Sequence, residues 1–207
     1  VYLLADGGQI KVDGSIRANS TGNDGRGQLR KGADIVIGRD EVTGFLSKAT
    51  DVVGAKLESQ GGFIETSGDD LKTGNVSIKA AQWLLDPTDI NIVATGTATP
   101  DTPSTNTGGT TTYQETAGIN TSEVLKSTIE SAINGGTNVT ITTANPTVGA
   151  NAAGNITLST ALNFSNTGAT DATLTLLAKN GITQNAGASI TTNSGASTKL
   201  VNVVMTA

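Results

Sequence analysis

Three places in the sequence set carboxylates beside a basic side chain. They are Asp24 with Arg26 and Arg30, the run Arg39-Asp40-Glu41, and Asp69-Asp70 with Lys72. Two carboxylates and a cation on one face are the parts of a polysaccharide-cleaving site, one acting as acid and one as base or nucleophile. Adjacent residues of an extended chain point to opposite faces, however, so closeness in sequence does not build such a site. These groups read as solvated corners, and no catalytic residue is expected. The chain has no His and no Cys, which excludes a Ser-His-Asp or Cys-His nucleophile, thiolate metal ligands and disulfides. From Ser131 to Ala207 the ionisable side chains are Asp171, Lys179 and Lys199 alone, too few to pair carboxylates.

Other ligand chemistries are equally thin. Calcium between repeats would call for a Gly-Gly-x-Gly-x-Asp pattern, which is absent, and Asp69-Asp70 is the nearest substitute. The glycine-rich stretches lack a following Gly-Lys-Ser/Thr, so no phosphate loop forms. No metal and no cofactor are expected. Net charge is −5 with no basic stripe, which argues against nucleic acid. No apolar run approaches the roughly 18–20 residues of a membrane helix. Asn-x-Ser/Thr triplets start at Asn19, Asn75, Asn120, Asn138, Asn155 and Asn163. In a chain so rich in Asn, Ser and Thr, about four would arise by chance.

The elements that would position these residues are short strands. Aromatic residues are 3% and charged residues 15%, the latter below the roughly 25% of an ordinary domain. A narrow core stacked from Val, Ile, Leu and Ala suits such a composition. Apolar residues alternate with Thr or Ser in Val76-Ser-Ile78, Val139-Thr-Ile141, Ile156-Thr-Leu158 and Leu174-Thr-Leu176. Period-two alternation puts the apolar members on one face of a strand. Ile156, Leu158, Leu174 and Leu176 are therefore expected to point inward. Runs beginning near Val139, Ile156, Leu174 and Ile190 recur every 16 to 18 residues or so, too short a unit to fold without stacking on a neighbour. Several follow a glycine, as in Gly14-Ser-Ile16, Gly74-Asn-Val76 and Gly154-Asn-Ile156. The pattern predicts an all-β, right-handed parallel β-helix (a β-solenoid). The competing arrangement is an antiparallel sandwich, disfavoured by the scarcity of aromatics and of hairpin turns between matched strands.

One region departs from the pattern. Thr95–Thr116 is a Thr-, Pro-, Gly- and Ser-rich loop, followed by an amphipathic helix over Thr121–Asn134. Leu125, Ile129, Ala132 and Ile133 share its apolar face, Asn120 or Thr121 would cap it, and Asn134-Gly135-Gly136 would end it. The expected organisation is a first β-helix part over 1–94, a loop-plus-helix insertion over 95–137, and a second β-helix part over 138–207. The opening Val1-Tyr2-Leu3-Leu4 lacks a starting Met and already reads as a strand, so a piece of a longer polypeptide is expected. Trp83, the single tryptophan, reads as a core plug rather than a ligand-stacking ring, and Pro87 should limit strand pairing near it.

Two strings carry a resemblance. Gly62-Phe63-Ile64-Glu65-Thr66-Ser67-Gly68, followed by Trp83-Leu84-Leu85-Asp86-Pro87-Thr88-Asp89-Ile90, resembles a pairing in filamentous-haemagglutinin and high-molecular-weight adhesin-type exoproteins of the two-partner secretion pathway. Ala33-Asp34-Ile35-Val36-Ile37-Gly38 fits the same group. The resemblance implies a right-handed β-helix shaft that is secreted or displayed on the bacterial surface. It implies export through an outer-membrane β-barrel transporter and attachment, through the full-length protein, to a receptor or glycan on a host or neighbouring cell. In contact-dependent inhibition proteins, which share the motif, the shaft would instead deliver a toxin. A polysaccharide-degrading β-helix is the third reading. The family's secretion domain carries Asn-Pro-Asn signatures; Asn145-Pro146-Thr147 departs from them, which places this segment after that domain, at the base of the shaft. Some adhesins of the group are glycosylated at Asn-x-Ser/Thr, so the six triplets are carried as acceptors implied by the resemblance.

Overall fold

A computed structural model of the protein describes residues 1–23, 25–26, 30–95, 106–107, 110–111, 121–143, 153–193 and 195–207. In chain order the elements are β1 (Tyr2–Leu3), β2 (Gln9–Lys11), β3 (Ser15–Arg17), β4 (Ile35–Ile37), β5 (Ala49–Asp51), β6 (Lys56–Gly68), β7 (Asp70–Lys72), β8 (Ser77–Pro87), β9 (Asp89–Val93), β10 (Asn106–Thr107), β11 (Thr110–Thr111) and β12 (Thr121–Leu125). Then come α1 (Lys126–Asn134), β13 (Asn138–Thr142), β14 (Asn155–Leu158), β15 (Leu162–Phe164), β16 (Ala172–Leu177), β17 (Gly181–Gln184), β18 (Ile190–Thr192) and β19 (Val201–Thr206).

The protein is mostly β, and among the named strands only β10 and β11 pair antiparallel. Two sheets dominate. The first runs β1-β4-β6-β8-β13-β16-β19, with β3 also on β6; the second runs β17-β14-β9-β12-β7-β5-β2. The chain visits one sheet, then the other, and returns to the first one strand further along. This is the pairing of stacked parallel strands, not that of an antiparallel sandwich.

Alternation in sequence becomes columns in space. In the first sheet Ile35, Ile64, Trp83, Val139, Leu174 and Val203 stand in register, and beside them Ile37, Thr66, Leu85, Ile141, Leu176 and Met205. In the second, Ile90 aligns with Ile156 and Ile182, and Ile92 with Leu158. Ile156, Leu158, Leu174 and Leu176 lie in the buried core, as their alternation predicts. Each such side chain contributes roughly 1.5–3 kcal/mol by burial, so the stack holds together through many equal increments. The last column members, Val203 and Met205, are exposed because β19 is the sheet edge.

Glycines appear where two stretches of backbone meet. At Gly38 φ is +91°, and a Cβ there would run into the Ser67 carbonyl and the Thr50 hydroxyl. A Cβ on Gly62 would strike the Ser59 hydroxyl and the Gly32 backbone, at the point where the β6–β8 register shifts. The motif glycine Gly62 thus serves packing at the bend of a long strand.

The helix differs from its sequence-based limits. Thr121–Leu125 is a strand, and α1 begins at Lys126, with Leu125 as its N-cap in extended conformation and no side-chain cap. Thr121-Ser-Glu-Val-Leu suits either period, and pairing with β9 over five residues decides for the strand. Ile129, Ala132 and Ile133 are buried as expected, and the chain leaves α1 through Gly135 and then Gly136 at φ +87°. The helix stands beside β15 where a further strand would otherwise pair. Glu130 accepts the Asn163 amide at 2.8 Å, and the Asn134 side chain accepts the Ser165 amide at 2.7 Å. Residues i and i+4 of a helix thereby satisfy alternate amides of a strand. Most of the Thr95–Thr116 loop lies outside the described residues.

Candidate functional site

The two strings that carried the resemblance lie side by side. β6 and β8 pair with Phe63↔Gln82, Ile64↔Trp83, Glu65↔Leu84, Thr66↔Leu85, Ser67↔Asp86 and Gly68↔Pro87. Trp83 is 1% exposed and its indole Nε1 donates to Thr66 Oγ1 at 3.1 Å. The ring has no face free for a ligand, and its one polar atom is satisfied within the column. Asp86 and Pro87 belong to β8 rather than interrupting it, and Pro87 closes the strand at its last paired residue.

Alternation sends Glu65, Ser67 and Asp86 to the face opposite Ile64 and Trp83. There Arg39, just past the end of β4, reaches across both later strands. Its Nη1 lies 3.4 Å from Glu65 Oε1 and 3.5 Å from Asp86 Oδ2. Ser67 donates its hydroxyl to the same Glu65 oxygen at 2.7 Å. The two carboxylate side chains are 5% and 3% exposed, while Arg39 is 31% exposed. One guanidinium therefore serves two nearly sealed carboxylates on consecutive strands. Each charge would be costly to bury alone, and together with the Ser67 bond they are held in one geometry. Both carboxylates are thereby nearly closed to solvent.

Folding keeps one of the sequence-adjacent charge groupings, Asp70 with Lys72, and redirects another, that of Arg39. Arg39 pairs with Glu65 and Asp86, not with Asp40 or Glu41. Asp40 instead caps its own turn, accepting the amides of Val42 at 2.8 Å and Thr43 at 3.2 Å. Those backbone bonds hold its carboxyl below the usual aspartate range. Asp70 pairs with Lys72 at 3.4 Å, and the Asp69 carbonyl accepts the Thr88 hydroxyl at 3.1 Å. Among the described residues no three acidic side chains gather as a metal site. Asp24 lies outside the described residues, and Arg30 Nε donates to the Asn23 carbonyl at 3.2 Å. The signal that finds the Arg39 cluster was present but non-local: aligning Ile64 with Trp83 brings Ser67 beside Asp86, and aligning Ile37 with Thr66 brings Arg39 to the same corner.

The Asn-x-Ser/Thr triplets separate by their bonding. The Asn19 side-chain oxygen accepts the Gln60 amide (2.8 Å), that of Asn138 the Thr173 amide (2.8 Å), that of Asn155 the Asn180 amide group (2.9 Å) and that of Asn163 the Thr191 hydroxyl (2.6 Å). Asn75 is exposed on a turn at φ +55°. Asn120 lies outside the described residues.

No family model matches the chain, and no curated protein matches it. Among the described residues no helix is long and apolar enough to cross a membrane.

Proposed function

We propose that this chain is a shaft segment of a filamentous, bacterial surface-displayed or secreted adhesin, folded as a right-handed parallel β-helix and without catalytic activity of its own. The observation that supports this most is the stacking of Gly62–Gly68 on Gln82–Pro87 in one continuous register. Residues of the strings that resemble that adhesin group lock neighbouring strands together: Trp83 on Thr66, and Glu65 with Asp86 through Arg39, which lies just outside the strings. A motif used up in holding strands together belongs to a structural element, and the host- or cell-binding surface is then presented by the full-length protein. Export would run through the outer-membrane β-barrel transporter of the two-partner pathway, unfolded chain emerging and stacking strand on strand. Of the Asn-x-Ser/Thr triplets, Asn75 is the described one with an exposed side chain outside a strand-to-strand bond, and it is the acceptor this reading favours.

The test is made in the producing bacterium. Deleting the transporter should remove the protein from the surface, measured by protease shaving and antibody labelling. Trp83→Asp should lower surface display and cell attachment together. Undiminished display without the transporter would overturn the export route. Turnover of a glycan panel by the purified segment, lost when Glu65 and Asp86 are changed to Ala in a variant that still folds, would overturn the structural role.

A further inference from the structure

The order of strands breaks at one place, and a groove opens there. β12 returns against the direction of growth and inserts between β7 and β9. It matches β9 at five positions, Thr121↔Asp89 through Leu125↔Val93, but β7 at Glu123↔Lys72 alone. The Leu71 amide donates to the Ser122 hydroxyl at 2.8 Å, a side chain standing in for a ladder carbonyl. Beside this seam lies a cavity of about 400 Å³, within the size range of small-molecule sites. Register places Lys11, Asp51, Lys72 and Glu123 in one row along it, with Val53 and Leu125 supplying apolar wall.

The row alternates in sign, and Asp13 adds a further carboxylate to the lining. Lys72, the cation facing Glu123 across the seam, lies 3.4 Å from Asp70. Asp51 accepts the Val53 amide at 2.9 Å. Glu123 is half-buried, and its Oε2 is closed off from water with no hydrogen-bond partner among the described residues. A carboxylate shielded on one side and set beside apolar groups interacts with a cation more strongly than one in bulk water.

We propose that this groove binds a primary alkylammonium group, with Glu123 as its counter-charge, Asp51 as a second acceptor, and Val53 and Leu125 packing against the carbon frame that carries the amine. A polyamine or an amino-sugar residue with an unsubstituted amine has this chemistry. The site is independent of the adhesin reading, since a shaft with or without it would stack in the same way.

The experiment titrates the 207-residue chain at low salt with spermidine, with a fully deacetylated glucosamine trimer, and with the N-acetylated trimer, followed by calorimetry and amide chemical shifts. Binding of either amine, with shifts at Ser122–Leu125 and Lys72 and none from the N-acetylated trimer, is expected. The amine that binds identifies the source. Glu123→Gln should weaken binding about tenfold, while Asp171→Asn, away from the groove, leaves it unchanged. Should Glu123→Gln disturb β12, seen as faster amide exchange, Asp51→Lys supplies the second arm: it adds a cation to the groove without touching β12 and should abolish binding. Binding that falls equally in Glu123→Gln and Asp171→Asn would reduce the effect to general attraction to an acidic protein and overturn the proposal. So would binding of the N-acetylated trimer as strongly as the amine, binding untouched by Asp51→Lys, or no binding at all.

Discussion

The strands before β12 and those after α1 share one architecture and hold their polar groups by opposite means. In the earlier region, charge is concentrated. Arg39 meets Glu65 and Asp86 on the outer face of the first sheet, and Arg17 and Lys79 meet Glu58, at 3.2 Å and 3.5 Å. In the later region, where charged residues are almost absent, neutral side chains stack in ladders. Ser159 and Asn185 form one, anchored on Asn91 of the earlier β9, with bonds of 2.7 Å and 2.9 Å; Asn155 with Asn180 and Asn163 with Thr191 form others. Buried Asn166 takes the most complete role there. Its amide donates to the carbonyls of Thr170 and Leu200, both at 3.1 Å, and its oxygen accepts the Gly168 amide at 3.0 Å. The difference teaches how each region should fail. A charged hub in which one cation serves two sealed carboxylates is lost all at once, whereas a neutral ladder loses one bond at a time.

The largest expected effect ignores that difference and tests what the two regions share. Leu176 is fully buried between Ile141 and Met205 in the core column. Leu176→Asp places an unpaired carboxylate there and should cost several kcal/mol, on the order of 4 or more, read as the shift in urea midpoint. A variant melting with the parent would show that the column register is wrong.

Next in size is the charged hub. Arg39→Met leaves Glu65 and Asp86 sealed without their cation and should cost roughly 3 kcal/mol. Adding Glu65→Gln to that variant should recover part of the loss, giving a coupling of about 1–2 kcal/mol in a double-mutant cycle. Strict additivity of the two changes would show that the hub is a surface arrangement with little energy in it.

Asn166→Ala sharpens the neutral side of the comparison. It strands the Thr170 carbonyl and the Gly168 amide, leaves the Leu200 carbonyl with the Ala172 amide alone, and should cost about 2 kcal/mol. Cutting a single exposed rung, as in Asn180→Ala, should cost well under 1 kcal/mol. If the two changes cost the same in equilibrium unfolding, burial does not set the cost of a neutral side-chain bond.

The smallest effect belongs to Asp40, whose carboxyl is depressed by two backbone amides on an exposed turn. Because its folded value lies below its unfolded one, its contribution is present above the unfolded value and is lost as pH falls through the folded one. The amide shifts of Val42 and Thr43 should therefore titrate below the ordinary aspartate range, with almost no change in global stability. Titration at the ordinary value would mean that the turn does not hold in solution.

The sequence by itself determined which side chains face the core. Val139, Ile141, Ile156, Leu158, Leu174 and Leu176 were legible because a strand's alternation is a property of neighbouring backbone units and needs no partner. It also located the end of α1, since Asn134-Gly135-Gly136 cannot continue a helix cheaply. Tertiary structure decided the rest. Strand or helix at Thr121–Leu125 was settled by the vacant place beside β9. The partners of Arg39 were settled by the stacking of β4, β6 and β8, which brings one corner of three successive strands together. The insertion of β12 between β7 and β9, and with it the groove at Glu123, could not be read locally at all. Register between distant strands depends on closing every intervening turn in the same stack, so it belongs to the assembled core and not to any one segment.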